Sequence, residues 1–289
     1  MGKLVYQPPQ DFFVQVSVCS VNTFLNLNPF SVNLSKANRQ KITAALQNSV
    51  GSNFILFPEY TYADELQEQY QNYCNENNCI IIGGSGLESV GANFYAYAPV
   101  FIPNKELMKV YKRHITNDET IYSGGRIIPY PDEVQRQIRL EGEVNDILFS
   151  VFVCYDFLIE NKTERDDIVF VPQYEQSPQQ FITEGDRISK GMRNFVLGAN
   201  NSNDDQQSLG FAILNGALIT ALANGNWRNA EYNDAQGEAM NYHNTIVYDT
   251  TGEKLLTFRL NLAKPFSLAF NYSLVGGGPI LIPVANINL

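Results

Sequence analysis

The chain has 289 residues and a mass of 32.5 kDa; 44% of its residues are apolar and 12% aromatic, enough to bury the core of a large domain. A formal net charge of -10 and a pI near 4.7 argue against nucleic acid or an anionic membrane as a partner, since either is met by clustered Lys and Arg. Cys19, Cys74, Cys79 and Cys154 are too few and too scattered for a disulfide framework, so the expected compartment is a reducing cytoplasm.

The opening residues, with Pro8, Pro9 and Asp11 among them, lack the basic start and apolar stretch of a leader, and no run reaches the roughly 18 apolar residues of a membrane span. Residues 13–21 alternate apolar and small polar side chains and are predicted as the first strand; the Asn-rich, Pro-containing residues 24–30 are predicted as a loop. A helix follows, capped by Asn33 or Ser35, with Ile42, Ala45, Leu46 and Val50 at helical spacing and Gly51 as its stop. Residues 54–57 form a predicted strand broken by Pro58, residues 64–75 a helix, and residues 79–82 a buried strand turning at Gly83 and Gly84. Residues 94–102 and 107–111 are predicted strands joined by a Pro-Asn-Lys turn, and residues 123–131 form a Gly- and Pro-containing loop. Residues 134–140 and 147–153 are predicted to pair, residues 168–171 to form a strand ending at Pro172, and residues 179–192 a helix. Strands over 195–199, 210–214 and 244–248 follow, with a polar loop at 200–207 and a hairpin turn, Asp249-Thr250-Thr251-Gly252, before a strand over 254–260. Helices and strands interleave without a linker or repeat, which predicts one α/β domain over residues 1–289.

Three of these apolar stretches end on reactive residues. Cys154 follows the apolar run 147–153, Glu59 follows Phe57-Pro58, and Lys112 lies in Tyr111-Lys112-Arg113-His114. Taken singly, each has a plainer explanation: a buried thiol behaves as a small hydrophobe, and a carboxylate or ammonium after a strand is usually solvated. Together they divide the work of thiol catalysis, because a carboxylate can take the thiol proton while an ammonium steadies the thiolate and the oxyanion that follows. His114 and His243 are the only histidines, which argues against a Cys-His dyad and against a zinc site. Gly83, Gly84 and Gly86 match no nucleotide-binding spacing and read as a turn, so no metal and no cofactor are expected.

The order Glu59, Lys112, Cys154, with the triplet Cys154-Tyr155-Asp156, resembles the nitrilase superfamily of carbon–nitrogen hydrolases. Residues 81–85, Asn93-Phe94-Tyr95, Gly210 and residues 244–252 extend the resemblance over most of the chain. It implies a four-layer α-β-β-α sandwich, with Glu59 as general base, Cys154 as nucleophile, and Lys112 with the Tyr155 backbone N–H as oxyanion donors. It further implies that Glu119 supports the lysine and that His114 is structural. The Cys-Tyr-Asp triplet favours amide or carbamoyl substrates over nitriles. Tyr60, Phe157, Tyr174 and Glu175 lie just beyond strand ends and are expected near a small-molecule substrate. The chain departs from the family at residues 187–194, where Arg193 replaces a glutamate, at Tyr111, which replaces a frequent arginine, and at residues 157–165. Other readings stay open: an acyl transferase, or a nitrilase-like module serving as a homo-oligomer core or fused to a partner domain, with the apolar tail at 280–289 as a boundary or a dimer arm.

Overall fold

Alternation along β1 (Phe13–Ser20) sends Val14, Val16 and Val18 to one buried face and Cys19 to the other, so this strand has a core on both sides. The computed structural model describes residues 13–27, 30–141, 146–162, 166–175, 179–192, 194–201, 210–214, 228–229, 245–248, 253–262 and 281–289. After β1 come β2 (Phe24–Leu27), β3 (Phe30–Asn33), α1 (Lys36–Asn48) and β4 (Phe54–Leu56). A 3-10 turn (Asp64–Leu66) leads into α2 (Gln67–Asn77), then β5 (Ile80–Ile82), β6 (Gly86–Val90), β7 (Asn93–Phe101), β8 (Met108–Tyr111) and α3 (Asn117–Tyr122). The second half holds β9 (Gln137–Leu140), β10 (Ile147–Val151), α4 (Asp156–Ile159), β11 (Ile168–Gln173), α5 (Gln179–Met192) and β12 (Phe195–Asn200). It continues with β13 (Gly210–Leu214), β14 (Arg228–Asn229), β15 (Thr245–Tyr248), β16 (Lys254–Asn261) and β17 (Leu281–Asn288).

Two large sheets result. The first runs β17-β16-β1-β4-β5-β7-β6, with β8 also on β7; the second runs β14-β15-β13-β12-β11-β10-β9. They meet face to face through Val14, Val16, Val18, Phe54 and Leu56 on one side and Phe149, Val151 and Phe170 on the other. The Phe54 ring lies 5.5 Å from that of Phe149 and 5.2 Å from that of Phe170, so aromatic contacts cross the seam. On its far face the first sheet packs against Ile42, Ala45 and Leu46 of α1 and Tyr70 and Cys74 of α2. Phe181 and Ile188 of α5 join the core of the second sheet, with α5 against β12 and β13.

Several sequence expectations need correction. Residues 24–27 and 30 are not loop: β2 and β3 pair antiparallel, Leu25 with Val32 and Leu27 with Phe30. Ser35 caps α1 in a reciprocal box with Asn38, but the helix closes at Ser49, leaving Val50 outside the apolar face and 65% exposed. Pro172 does not end β11, which runs to Gln173. Its carbonyl receives the Cys154 N–H at 2.8 Å, which ties the strand to the cysteine loop. Residues 249–252 lie outside the described residues, and the strands flanking them do not form a hairpin: β15 pairs with β13 and β14, whereas β16 pairs with β1 and β17 in the other sheet. Within the apolar tail, Leu281–Asn288 form β17, a strand not read from the sequence, paired antiparallel with β16. Elements β6, α3 and α4 have too short a pattern to have been read from the sequence.

Candidate active site

Glu59 sits at the end of a tight turn. Leaving β4, the chain bends at Pro58; the Thr61 hydroxyl donates to the Pro58 carbonyl at 2.6 Å and the Tyr60 N–H to the Ser85 hydroxyl at 2.9 Å. Tyr60 takes a left-handed conformation (φ 60°), and Gly84 (φ +83°) lies so close that a Cβ there would fall 2.1 Å from the Pro58 carbonyl oxygen. Gly84 therefore seats the glutamate's turn, whereas Gly83 lies against Pro99 and Tyr70. The Glu59 N–H donates to the Gln173 carbonyl at 3.3 Å, tying the turn to the second sheet.

Lys112 leaves β8 with its N–H bonded to the Ala96 carbonyl at 2.9 Å. Its ammonium, 1% exposed, donates to Glu59 Oε1 at 2.9 Å and to Glu119 Oε1 and Oε2 at 2.8 and 2.7 Å. Glu119 is held by α3 itself: it bonds the N-cap Thr116 in a capping box, and the Tyr60 hydroxyl donates to its Oε1. Burial pulls the Lys112 pKa down, but Glu119 and Glu59 overcome it and hold the group well above the usual lysine value. The same burial lifts Glu59 to about 7, with Lys112 lowering it and Glu119 raising it.

Cys154, 5% exposed, also has a left-handed backbone (φ 49°), uncommon for a residue with a side chain. Its carbonyl accepts the Phe157 N–H at 2.9 Å, starting the turn into α4. Burial pushes its thiol pKa well up, Glu59 pushes it further, and Lys112 opposes both. Glu59 and the Tyr174 backbone N–H both bear on the sulfur, Glu59 raising its pKa and the N–H lowering it; the N–H is a donor sequence reasoning missed.

Asp156, fully buried, knots the two loops together. Its carboxylate accepts the backbone N–H groups of Arg113 (3.0 Å) and His114 (2.7 Å), His114 Nδ1 (2.9 Å) and Arg136 Nη2 (2.6 Å). His114, Asp156 and Glu160 lie close enough to suggest a metal, with ligand atoms within 4.8 Å of one another, but the Arg136 guanidinium already bridges both carboxylates. The cluster reads as an ion-pair network.

Glu59, Lys112, Glu119 and Cys154 line a single cavity of about 550 Å³, together with Tyr60, Tyr174 and Glu175. Leu25, Leu27, Thr116, Asp118 and Tyr122 complete the described lining and were not foreseen, because they belong to the hairpin and the short helix that the pattern hid. Phe157 is not there. Its ring is fully buried and stacks on Phe181 at 6.2 Å, so it belongs to the core. Tyr155 stands at the N-cap of α4 directly after the thiol. Arg187 is on α5, paired with Glu184; Arg193 and His243 lie outside the described residues.

No family model matches the sequence, and no curated protein matches it. Solved structures do. A CN-hydrolase superfamily protein from Xanthomonas campestris, with an arsenic adduct in its active site, superposes with a TM-score of 0.51 at 16% identity over 70% of this chain and 83% of that one. A glutamate-to-glutamine variant of the amidase from Nesterenkonia sp. AN1 carries the acetamide moiety of fluoroacetamide on its active-site cysteine. It gives a TM-score of 0.54 at 12% identity over 72% and 85% of the two chains. A cysteine-to-serine variant of the same nitrilase-superfamily amidase gives 0.52 at 14% identity over 68% and 83%. At such identities the likeness is one of fold, and the chain has the α/β fold of the carbon–nitrogen hydrolases of the nitrilase superfamily.

Proposed function

We propose that the protein is a carbon–nitrogen hydrolase of the nitrilase superfamily, acting on a small amide or carbamoyl compound through a cysteine thioester. Glu59 takes the thiol proton as the Cys154 sulfur attacks the carbonyl carbon. The Lys112 ammonium and the Tyr155 N–H receive the oxyanion. When the tetrahedral adduct collapses, Glu59 returns the proton to the leaving nitrogen, and ammonia or an amine departs. Water, deprotonated by Glu59, then attacks the thioester; the acid leaves and the thiol is regenerated. Glu119 holds Lys112 in its charged form throughout. The Cys-Tyr-Asp triplet ranks amides and carbamoyl compounds above nitriles.

The observation that carries this reading is the Lys112 ammonium, bonded to both Glu59 and Glu119 in the cavity onto which Cys154 opens. The test is ammonia release from a panel of small amides, with intact-mass detection of the acyl adduct. Cys154→Ala is expected to lower kcat by about a thousandfold or more, and Glu59→Gln to remove turnover while Lys112 remains paired with Glu119. Adding hydroxylamine separates hydrolysis from acyl transfer, since a transferase diverts the acyl group to hydroxamate. Full activity in Cys154→Ala would end the proposal.

A further inference from the structure

Beyond the thiol, one wall of the cavity is apolar and is clamped in place. Leu25 and Leu27 stand two apart on β2, so they share a face of the hairpin, and both line the cavity with Tyr60, Tyr122 and Tyr174. The rings adjoin: that of Tyr174 is centred 5.8 Å from Tyr60 and 6.5 Å from Tyr122. Leu27 is 56% exposed and Tyr122 36%, which leaves apolar surface uncovered in the space onto which Cys154 opens. Arg126 fastens this wall. Its Nη2 donates to the Leu27 carbonyl at 2.7 Å, its guanidinium lies 4.2 Å from the centre of the Phe30 ring, and its Nε donates to the Ser123 carbonyl at 3.2 Å. Ser123 closes α3, so one arginine ties together the hairpin that carries Leu27 and the helix that carries Tyr122. Phe30 packs in turn on Phe94 of β7, with 4.9 Å between ring centres. The polar groups deeper in the cavity are spent on one another: Lys112 on Glu59 and Glu119, the Tyr60 hydroxyl on Glu119, and the Thr116 hydroxyl on the Glu119 N–H. Asp118 and Glu175 also line the space; Asp118 is exposed on the first turn of α3, where water and salt screen it.

We infer that the substrate is an amide with an apolar acyl tail, a longer alkyl or an aryl-alkyl group seated between the hairpin leucines and the tyrosine rings, a choice that rests on the hydrolase reading for the reacting end and on the clamped wall for the other. At about 550 Å³ the cavity lies within the roughly 300–1,000 Å³ that encloses a drug-sized ligand, so acetamide leaves most of it as water against leucine and tyrosine. A tail displaces that water, which raises kcat/KM by about fourfold per methylene buried. Arg126 is a positioning residue: it lies outside the described lining and sets where Leu27 stands.

Ammonia release by the full-length protein is measured with acetamide, butanamide, hexanamide and 3-phenylpropanamide, and with 5-aminopentanamide and adipamic acid as charged counterparts of hexanamide. From acetamide to hexanamide kcat/KM is expected to rise by about a hundredfold, and hexanamide to exceed both charged amides by about tenfold. Leu27→Ser, at an exposed position, and Arg126→Ala are each expected to cut the hexanamide-to-acetamide ratio by about three- to tenfold, chiefly through KM. A merely structural role lowers both amides alike and leaves the ratio where it was. A flat series, a charged amide equal to hexanamide, or a ratio unchanged in both variants overturns the inference.

The wall is read separately at Cys154, whose thiol opens onto the cavity whereas Cys19, Cys74 and Cys79 are fully buried elsewhere. Methyl, pentyl and benzyl methanethiosulfonate each form a mixed disulfide with the thiol and release methanesulfinate. Rates are read by intact mass and divided by each reagent's rate with a free small thiol. The pentyl and benzyl reagents are expected to exceed the methyl one by about tenfold, and by less in Leu27→Ser. Tail-selective labelling with no ammonia and no acyl adduct from any amide upholds the apolar wall and overturns the hydrolase. Ammonia release without a rise along the series overturns the apolar tail and leaves the hydrolase standing.

Discussion

Lys112 is an ammonium in a place that desolvation alone would make hostile to charge, and it stays protonated because Glu119 and Glu59 both face it. Lys112→Met is therefore expected to destabilise the fold by about 3–5 kcal/mol, since two buried carboxylates lose their counter-charge. Urea unfolding at pH 8 measures this. The deficit should shrink as pH falls, because orphaned carboxylates have raised pKa values and are satisfied by protonation. Glu59 already behaves in this direction in the native protein. Its pKa stands near 7 in the fold against an ordinary 4.5, so the stability it contributes is present below about 4.5 and is lost as pH rises through about 7. Under the proposed mechanism activity moves the opposite way: Glu59 would work in its base form, so kcat/KM is expected to rise with pH around a midpoint near 7, and a flat profile between pH 5.5 and 8.5 would contradict that role. At this scale the identities of Glu59, Lys112 and Cys154 were legible, because each follows an apolar stretch and the three stand in a familiar order. The left-handed backbone of Cys154 was not, since nothing in the residue type announces φ 49°.

Short elements do the positioning, and they are what sequence pattern resolves worst. The turn carrying Glu59 depends on Gly84, and Gly84→Ala combines an unfavourable φ with a Cβ pressed against the Pro58 carbonyl and the Thr61 hydroxyl. It is expected to lower stability by about 2–4 kcal/mol and to reduce kcat, as denaturant titration and steady-state kinetics on the same sample would show. Gly83 and Gly84 were visible in the sequence as a turn, but the place of Gly84 against the turn that carries Glu59 needs the packing. Asp156 is a parallel case. It was read as part of a family triplet, whereas its carboxylate ties the lysine loop to the cysteine loop through Arg113, His114 and Arg136. Asp156→Asn keeps the shape but turns two oxygen acceptors into one. The β2–β3 hairpin was hidden because Asn and Pro residues imitate loop composition, although Leu25 and Leu27 help to wall the cavity.

The whole molecule is two sheets closed on a shared apolar layer. Phe54, Phe149 and Phe170 interlock across it, and Phe170→Ala is expected to cost about 3–5 kcal/mol, read from the urea midpoint. The alternation of strands and helices made the α/β class legible. Assignment of strands to one sheet or the other was not, because hairpin signals are local and the choice is made by tertiary packing: β15 and β16 are neighbours in sequence yet lie in different sheets. That division matters for chemistry. Glu59 and Lys112 follow strands of the first sheet, and Cys154 follows a strand of the second. Under the proposed mechanism turnover thus becomes a vernier for the alignment of two slabs: a slip of an ångström between them parts acid from sulfur while leaving every helix and strand intact. Mild denaturant should silence ammonia release well before circular dichroism changes, and Phe170→Ala should widen the gap between those two midpoints.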